Sequence, residues 1–559
     1  MHSRIDLPID SSLRQSPPNA ARRPDYQHDG YWCDQTFGAM LRQSASCFPQ
    51  ACALVDGERQ LTYQQLDQRV DRLASGLAHL GLSAGDKVLL QLPNSIEFVE
   101  MCFALYRLGV QPILALPAHR DVELASFCAF ADVSAYISVD QSEGCDFEAL
   151  ALRLQQRFPS LEHVIISGES TVFRTLQSLY LLPDEKHSVV ETSVTPHMVA
   201  CFQLSGGTTG VPKLIPRRHG EYLYNLKRCA DICRFSSETV YLAALPMAHN
   251  FTMCCPGFMG TLYAGGCVVI ARQPTAEHCF PLIERYQVTH TALVPPLALL
   301  WMEAVALGRN PPHALQWLQV GGARLSYEAA RRVMPVLGCR LQQVFGMAEG
   351  LICMTRPDDD LSRVLHTQGR PISAADEIRV VDEKGQCLPP GQVGQIQTRG
   401  PYTIQGYYRN PEANASAFTD DGFYCSGDRI ELTPDGDVIV EGRDKDLINR
   451  GGEKIAAEEV ENLLLSHPAV VDVALVAMPD DFLGERACAF VLAREAVSAA
   501  ALKRHLSQQG LAAFKLPDRF QFIDEFPSTG VGKVSRQHLR AALQQQLLSS
   551  LEPDIPVSS

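Results

Sequence analysis

From Thr62 onward, apolar residues recur first at helical spacing and then in short unbroken runs, an alternation that restricts the chain to folds in which helices cross between strands. Leu66, Val70, Leu73, Leu77 and Leu80 line one helical face. Residues 87–92 then read as a strand, 96–105 as a helix and 109–116 as the next strand. Further strands are predicted at residues 199–204, 239–245, 267–270, 290–294 and 317–320. Strands joined through helices pair in parallel by right-handed crossovers, so a large α/β domain is expected. Residues 1–60 are weakly periodic and read as a surface wrap.

After about residue 375 the punctuation changes. Turn signals at Gly385, Gly391, Gly422 and Gly436 separate short apolar runs, which predicts a small β-rich subdomain over about 375–442. Beyond it, a helix carrying Val460, Leu463 and Leu464, strands near 471–477 and 487–492, and a last helix with Leu539, Leu543 and Leu547 form a small α+β domain. The expected class is α/β: a large N-terminal domain of parallel-sheet layers, residues 1–442, with the β subdomain inside it, and a C-terminal domain over 447–559.

Composition narrows the function. In 559 residues, 46% hydrophobic and 20% charged, there is ample material for a folded core, which excludes disordered and fibrous classes. A net charge of −14 without a Lys/Arg block offers no footprint for nucleic acid or an anionic membrane. The longest apolar stretch, 291–308, is interrupted by Pro295, Pro296 and Glu303, so no membrane span is expected. Arg4, Asp6 and Asp10 stand where a secretion signal needs apolar residues, and the expected location is the cytoplasm. The 18 cysteines show no CxxC pair and read mostly as small core residues in a reducing compartment.

The strongest local signal follows the strand at 199–204: Ser205, Gly206, Gly207, Thr208, Thr209 and Gly210, then Lys213. Glycines allow a tight turn that presents N–H groups, hydroxyls donate and the lysine adds charge, a combination suited to phosphate. It is not a Walker A loop, since Pro212 precedes the lysine and Leu214 follows it. Seven more segments follow: 248–250 (Ala-His-Asn), 321–325 (Gly-Gly-Ala-Arg-Leu), 345–350 (Phe-Gly-Met-Ala-Glu-Gly), 424–428 (Tyr-Cys-Ser-Gly-Asp), 442–446 (Gly-Arg-Asp-Lys-Asp), 449–454 (Asn-Arg-Gly-Gly-Glu-Lys) and 527–533 (Pro-Ser-Thr-Gly-Val-Gly-Lys). In this order they resemble the adenylate-forming superfamily of acyl- and aryl-CoA synthetases, luciferase and peptide-synthetase adenylation domains, over nearly the whole chain.

The resemblance implies a two-step reaction on ATP and Mg²⁺: a carboxylate attacks the α-phosphate to give acyl-AMP and pyrophosphate, then a thiol takes the acyl group and releases AMP. It implies that the 205–210 loop and Lys213 meet the phosphates, and that Glu349 is the magnesium-associated carboxylate. Gly322, Ala323, Val344, Phe345 and Gly346 would flank the nucleotide, with Asp428 and Arg443 on the ribose. Lys533 would bridge the acid and the phosphate, and the expected catalytic residues are Lys533, His249 and Glu349. Residues 443–446 would be a hinge pivoting at Lys445, and Gly451 and Gly452 would line the thiol's path after the small domain swings.

Within the superfamily the chain is most similar to stand-alone aryl acid adenylating enzymes of siderophore biosynthesis, through residues 248–257, 319–324, 342–350 and 448–459. Asn250 stands near where amino-acid-activating domains keep an aspartate, and a neutral amide suits a hydroxybenzoate. Asn250, Phe251, Cys255, Met347, Ala348 and Ile352 are the expected acid contacts. Enzymes of this group that use 2,3-dihydroxybenzoate usually carry Ser, Val and Tyr where this chain has Cys255, Ile352 and Phe251. A thiol is a weaker donor and larger than a hydroxyl, which favours salicylate, with 2,3-dihydroxybenzoate the alternative and an aryl- or acyl-CoA ligase a further one. No Gly-x-Asp-Ser carrier site occurs near the C-terminus, so the thiol is expected from the phosphopantetheine of a separate aryl carrier protein. A non-catalytic protein on the same fold would be expected to lack Lys533 or Glu349; both are present.

Overall fold

The computed structural model describes residues 25–142, 144–181, 193–205, 213–443, 446–450, 453–480 and 483–549. Its largest sheet has nine strands in the order Arg370–Pro371, Ile352–Met354, Arg340–Gly346, Trp317–Gly321, His290–Leu293, Val240–Ala243, Cys267–Ile270, Cys52–Asp56 and Arg59–Thr62. The six inner strands are parallel and the edge strands antiparallel. A second sheet of seven runs Leu214–Arg218, Val199–Leu204, Gln111–Leu114, Lys87–Leu90, Ala135–Val139, His163–Ser167 and Arg174–Thr175. It is parallel apart from the hairpin that joins its first two strands. These are the layers the alternation predicts.

The main core joins the two sheets through the helices between them. Helix Ile96–Leu108 shows how its sequence permits this. Ser95 caps the first turn by accepting from the Phe98 N–H, and Gly109 ends the helix in the left-handed region at φ 70°. Every residue but Glu97 is buried, including Glu100 and Arg107, whose charges are paired with Arg69 and with Asp67 and Asp71.

The surface wrap expected for residues 1–60 is overturned within the part described. Helix Phe37–Cys47 buries Phe37, Met40 and Leu41 in the main core, and strand Cys52–Asp56 lies inside the large sheet. The helix is three turns long and Ser44 and Ala45 complete its buried side, so its apolar stripe is too short and too small-residued to register as a period.

Strands Glu377–Val381, Val393–Arg399, Tyr424–Leu432 and Val438–Arg443 form an antiparallel sheet over the β-rich segment. After it comes a five-stranded sheet in which Gly484–Ala493 is flanked by Val470–Asp480, Arg519–Phe522 and Ile448–Arg450, the last continuing to Glu453–Ile455. Helices Ala457–Leu465 and Ala499–Gln508 cover one face, and Arg536–Ser549 packs on the other through Leu539 and Leu543. The whole is α/β, with a large N-terminal part and a smaller C-terminal one. Of the 18 cysteines, 11 are buried, in keeping with a structural role for most. No helix among the described residues is long and apolar enough to cross a membrane.

Candidate active site

The motif residues gather at the C-terminal ends of the parallel strands of the large sheet, the edge where such sheets place their ligands. Gly321 and Val344 pair across the adjacent strands Trp317–Gly321 and Arg340–Gly346. Gly321 leaves no room for a side chain: a Cβ there would lie 2.9 Å from the Val344 carbonyl and 3.0 Å from the Phe251 ring. Gly322 and Ala323 continue into the open cleft, with Phe345 partly buried and Gly346 exposed beyond them. At the opposite ends of the same strands a groove of about 330 Å³ is lined by Arg234, His290, Trp317 and Arg340, none of them a motif residue.

Lys533 reaches this cleft from the C-terminal part. Its turn is closed by Thr529 N–H to Lys533 C=O at 2.7 Å and Gly532 N–H to Thr529 C=O at 2.8 Å. The glycines press on the large part: a Cβ on Gly530 would meet Ala118 at 3.0 Å, and one on Gly532 would meet Leu297 at 3.4 Å. Gly322 adopts φ 82°, and a Cβ on it would lie 2.6 Å from Lys533 Cε and 3.1 Å from its Nζ. The left-handed φ favours glycine here, and a side chain would also push the end of the lysine aside. His249 is near enough to feel the ammonium; burial of its ring and, secondly, Lys533 push its pKa down to about 3. Its Nδ1 accepts from the Phe251 N–H at 3.3 Å, so the neutral ring carries its proton on Nε2.

The residues expected to hold the acid follow His249 and are mostly buried. Asn250, Phe251, Cys255 and Ile352 are all at most 6% exposed, while Met347 and Ala348 are partly open. Tyr222 donates to Asn250 Oδ1, and the amide nitrogen lies 3.7 Å from Cys255 Sγ. Gly346 faces Ile352 at 3.2 Å from a notional Cβ, so strands Arg340–Gly346 and Ile352–Met354 approach closely here.

Glu349 is almost buried and accepts from the Tyr407 hydroxyl at 2.9 Å, with the Tyr424 hydroxyl 3.0 Å further on. Lys213 Nζ stands 5.3 Å over the Tyr407 ring. The segment before it, Ser205, is held by its N–H to the Lys213 carbonyl at 3.4 Å, so the glycine-rich loop joins two antiparallel strands, unlike a P-loop, which opens a helix. Asp428 is buried, accepts from Ser426 at 2.7 Å and pairs in register with Arg443. Gly206, Gly207, Thr208, Thr209, Gly210, Lys445, Gly451 and Gly452 lie outside the described residues, as does the side chain of Arg443.

Reading the sequence missed Tyr222, Arg217 and Tyr407, and gave Tyr424 no role of its own within the 424–428 motif. Arg217, fully buried, donates to the carbonyls of Ala348 and Tyr402, pairs with Glu221 at 3.3 Å and covers the Tyr222 ring at 4.2 Å. Two adjacent arginines at 217 and 218 look like a solvated edge, and nothing in the sequence separates the buried one from its neighbour.

The family described as AMP-binding enzyme matches residues 41–408, and its companion, the AMP-binding enzyme C-terminal domain, matches residues 459–533. The chain belongs to the AMP-binding enzymes. Among this enzyme's relatives, pyochelin synthase PchD of Pseudomonas aeruginosa is 55% identical over 93% of this chain and 95% of its own. A 2,3-dihydroxybenzoate-AMP ligase of Bacillus subtilis is 52% identical over 94% of this chain and 97% of its own. The apo structure of MbtA from Mycobacterium smegmatis superposes with a TM-score of 0.73 at 41% identity, covering 95% of this enzyme and 99% of that chain.

Proposed function

We propose that the enzyme activates salicylate with ATP to salicyl-AMP and pyrophosphate, then transfers the salicyl group to the phosphopantetheine thiol of an aryl carrier protein in siderophore synthesis. In the first step a carboxylate oxygen bonds to the α-phosphorus as the bond to pyrophosphate breaks. In the second the thiol sulfur bonds to the acyl carbon, the bond to AMP breaks and the thiol proton leaves. The observation that carries the reading is Lys533, set against Gly322 and close enough to His249, the neighbour of Asn250, to act on its ring. A fixed ammonium there offsets the repulsion between an anionic nucleophile and a polyanion.

His249, neutral at working pH, adds a hydrogen-bond donor at Nε2 without a second positive charge near Lys533. Asn250, Phe251, Cys255, Met347, Ala348 and Ile352 hold the acid. Gly322, Ala323, Val344, Phe345 and Gly346 flank adenine, Asp428 and Arg443 hold the ribose, and residues 205–210 with Lys213 hold the phosphates. The described residues contain no cluster of three potential metal ligands, but Glu349 is a hard oxygen donor braced by Tyr407, which fits a Mg²⁺ held mainly by phosphate oxygens. Bound there, Mg²⁺ neutralises the triphosphate. Residues 443–446 act as the hinge, pivoting at Lys445, between the domains 1–442 and 447–559, and Gly451 and Gly452 line the thiol's path.

Salicylate is favoured over 2,3-dihydroxybenzoate because Cys255 and Ile352 fill the pocket with a weakly polar sulfur and a fully buried branched side chain. Pyrophosphate exchange across a panel of benzoic acids tests this. The highest kcat/KM is expected for salicylate; a maximum for 2,3-dihydroxybenzoate selects the alternative. Offering coenzyme A beside a phosphopantetheinylated aryl carrier protein tests the acceptor, and equal use of free coenzyme A would overturn the carrier assignment.

A further inference from the structure

We infer that Tyr222 is a positioning residue that locks the Asn250 amide with its NH₂ toward the acid, so that the pocket accepts an ortho oxygen and rejects an ortho amino group. The inference rests on the reading of Asn250 as an acid contact.

The direction of the hydrogen bonds is set at the far end of the chain by Met253. A thioether sulfur can only accept, and Gln203 Nε2 lies 3.5 Å from Met253 Sδ. That fixes the Gln203 amide with its nitrogen inward, where it also donates to the Tyr222 oxygen at 3.4 Å. Tyr222 is wholly buried, so its one proton has no solvent to go to, and it is given to Asn250 Oδ1. Burial keeps the phenol protonated across any working pH, and the Arg217 guanidinium on its face holds the ring in place. With Oδ1 engaged, Asn250 offers N–H. Nearby, Cys255 Sγ lies 3.7 Å from both the amide nitrogen and the Asn250 carbonyl, and its thiol proton points to the carbonyl. The sulfur is therefore a weak acceptor on this face and adds no donor for the acid.

A 2-hydroxybenzoate suits this surface: its hydroxyl donates to its own carboxylate and leaves lone pairs for the Asn250 N–H. A 2-aminobenzoate does not. Its nitrogen lone pair is drawn into the ring, so two donors would face each other among side chains at most 6% exposed.

The test compares salicylate, 2-aminobenzoate and benzoate in pyrophosphate exchange, on the wild type and on Tyr222→Phe, which keeps the ring that Arg217 covers. The wild type is expected to prefer salicylate to 2-aminobenzoate by at least about tenfold. Equal kcat/KM for the two acids would overturn the inference without any variant, so it stays testable if Tyr222→Phe fails to fold. In Tyr222→Phe the amide is free to turn, and the ratio is expected to fall by about tenfold, part of it through a gain for 2-aminobenzoate, with benzoate changed least. A fall shared equally by all three acids would show that Tyr222 only packs. Asn250→Ala separates the two readings. If it leaves salicylate kcat/KM unchanged, the acid-contact reading fails; if it lowers salicylate while Tyr222→Phe leaves the ratio in place, only the lock fails.

Discussion

Asn250 and Lys533 meet in one cleft but are held there in different ways. Asn250 is 6% exposed and is fixed through Tyr222, Gln203 and Cys255, side chains at most 3% exposed, with the buried Arg217 behind them. Lys533 arrives on a glycine turn whose hold on the large part comes from small apolar contacts at Ala118, Val294 and Leu297. The seam around it carries ion pairs between partly exposed side chains: Arg494 to Glu303 at 2.8 Å, and Arg324 to Glu458 at 3.9 Å. Buried, mutually satisfied polar groups are costly to rearrange, whereas exposed ion pairs contribute at most about 1 kcal/mol each. Asn250 is thus held by buried, paired groups and the seam by weaker contacts, a division that suits the proposed two-step reaction with a departing lysine.

The largest expected effect strikes the seam side. Lys533→Ala should lower pyrophosphate exchange by about 10²- to 10³-fold, the cost of one preorganised charge at the transition state. Thioester formation from supplied salicyl-AMP should remain near wild type, because the lysine serves only the first step. An equal loss in both half-reactions would remove the distinction between a fixed pocket and a visiting lysine.

The next effect sharpens the pocket side. Cys255→Ser should raise kcat/KM for 2,3-dihydroxybenzoate by roughly 1–2 kcal/mol, with salicylate little changed. Serine is smaller than cysteine, and its hydroxyl can take over the contact to the Asn250 carbonyl while offering a stronger partner to a 3-hydroxyl. Measuring both acids on both proteins decides it. A ratio that does not move would mean that Cys255 only fills space.

What the sequence made legible follows the same division. Strands Val199–Leu204 and Cys267–Ile270 fall where the apolar runs predict them, and others differ by one to three residues at their ends. The motif residues were readable because glycines and charges in fixed order name a chemistry locally. The supports were not. Tyr407 braces Glu349 across 58 residues of sequence, and Arg217 reaches Ala348 across 131, so no local period encodes either contact. A tyrosine whose hydroxyl orients an amide has the same hydropathy as one that merely packs, and only the fold tells them apart.

The smallest expected effect concerns the ion pair that spans the seam. Glu303 lies on helix Pro295–Ala306, whose first turn also carries the Leu297 contact to the Lys533 turn, and Arg494 follows strand Gly484–Ala493 of the C-terminal sheet. In the proposed cycle the pair would form only while the lysine is in the cleft, since both contacts join the same two surfaces. Arg494→Ala removes it at a cost of under about 1 kcal/mol, because Arg494 is one-third exposed and water screens the attraction. That loss weakens one arrangement and leaves the other untouched, so pyrophosphate exchange should fall by up to about fivefold while transfer to the carrier thiol holds or rises. Single-turnover rates for the two half-reactions would read the opposite signs directly. A variant slowed equally in both would place Arg494 in the stability of the C-terminal part, with no share in the balance between its positions.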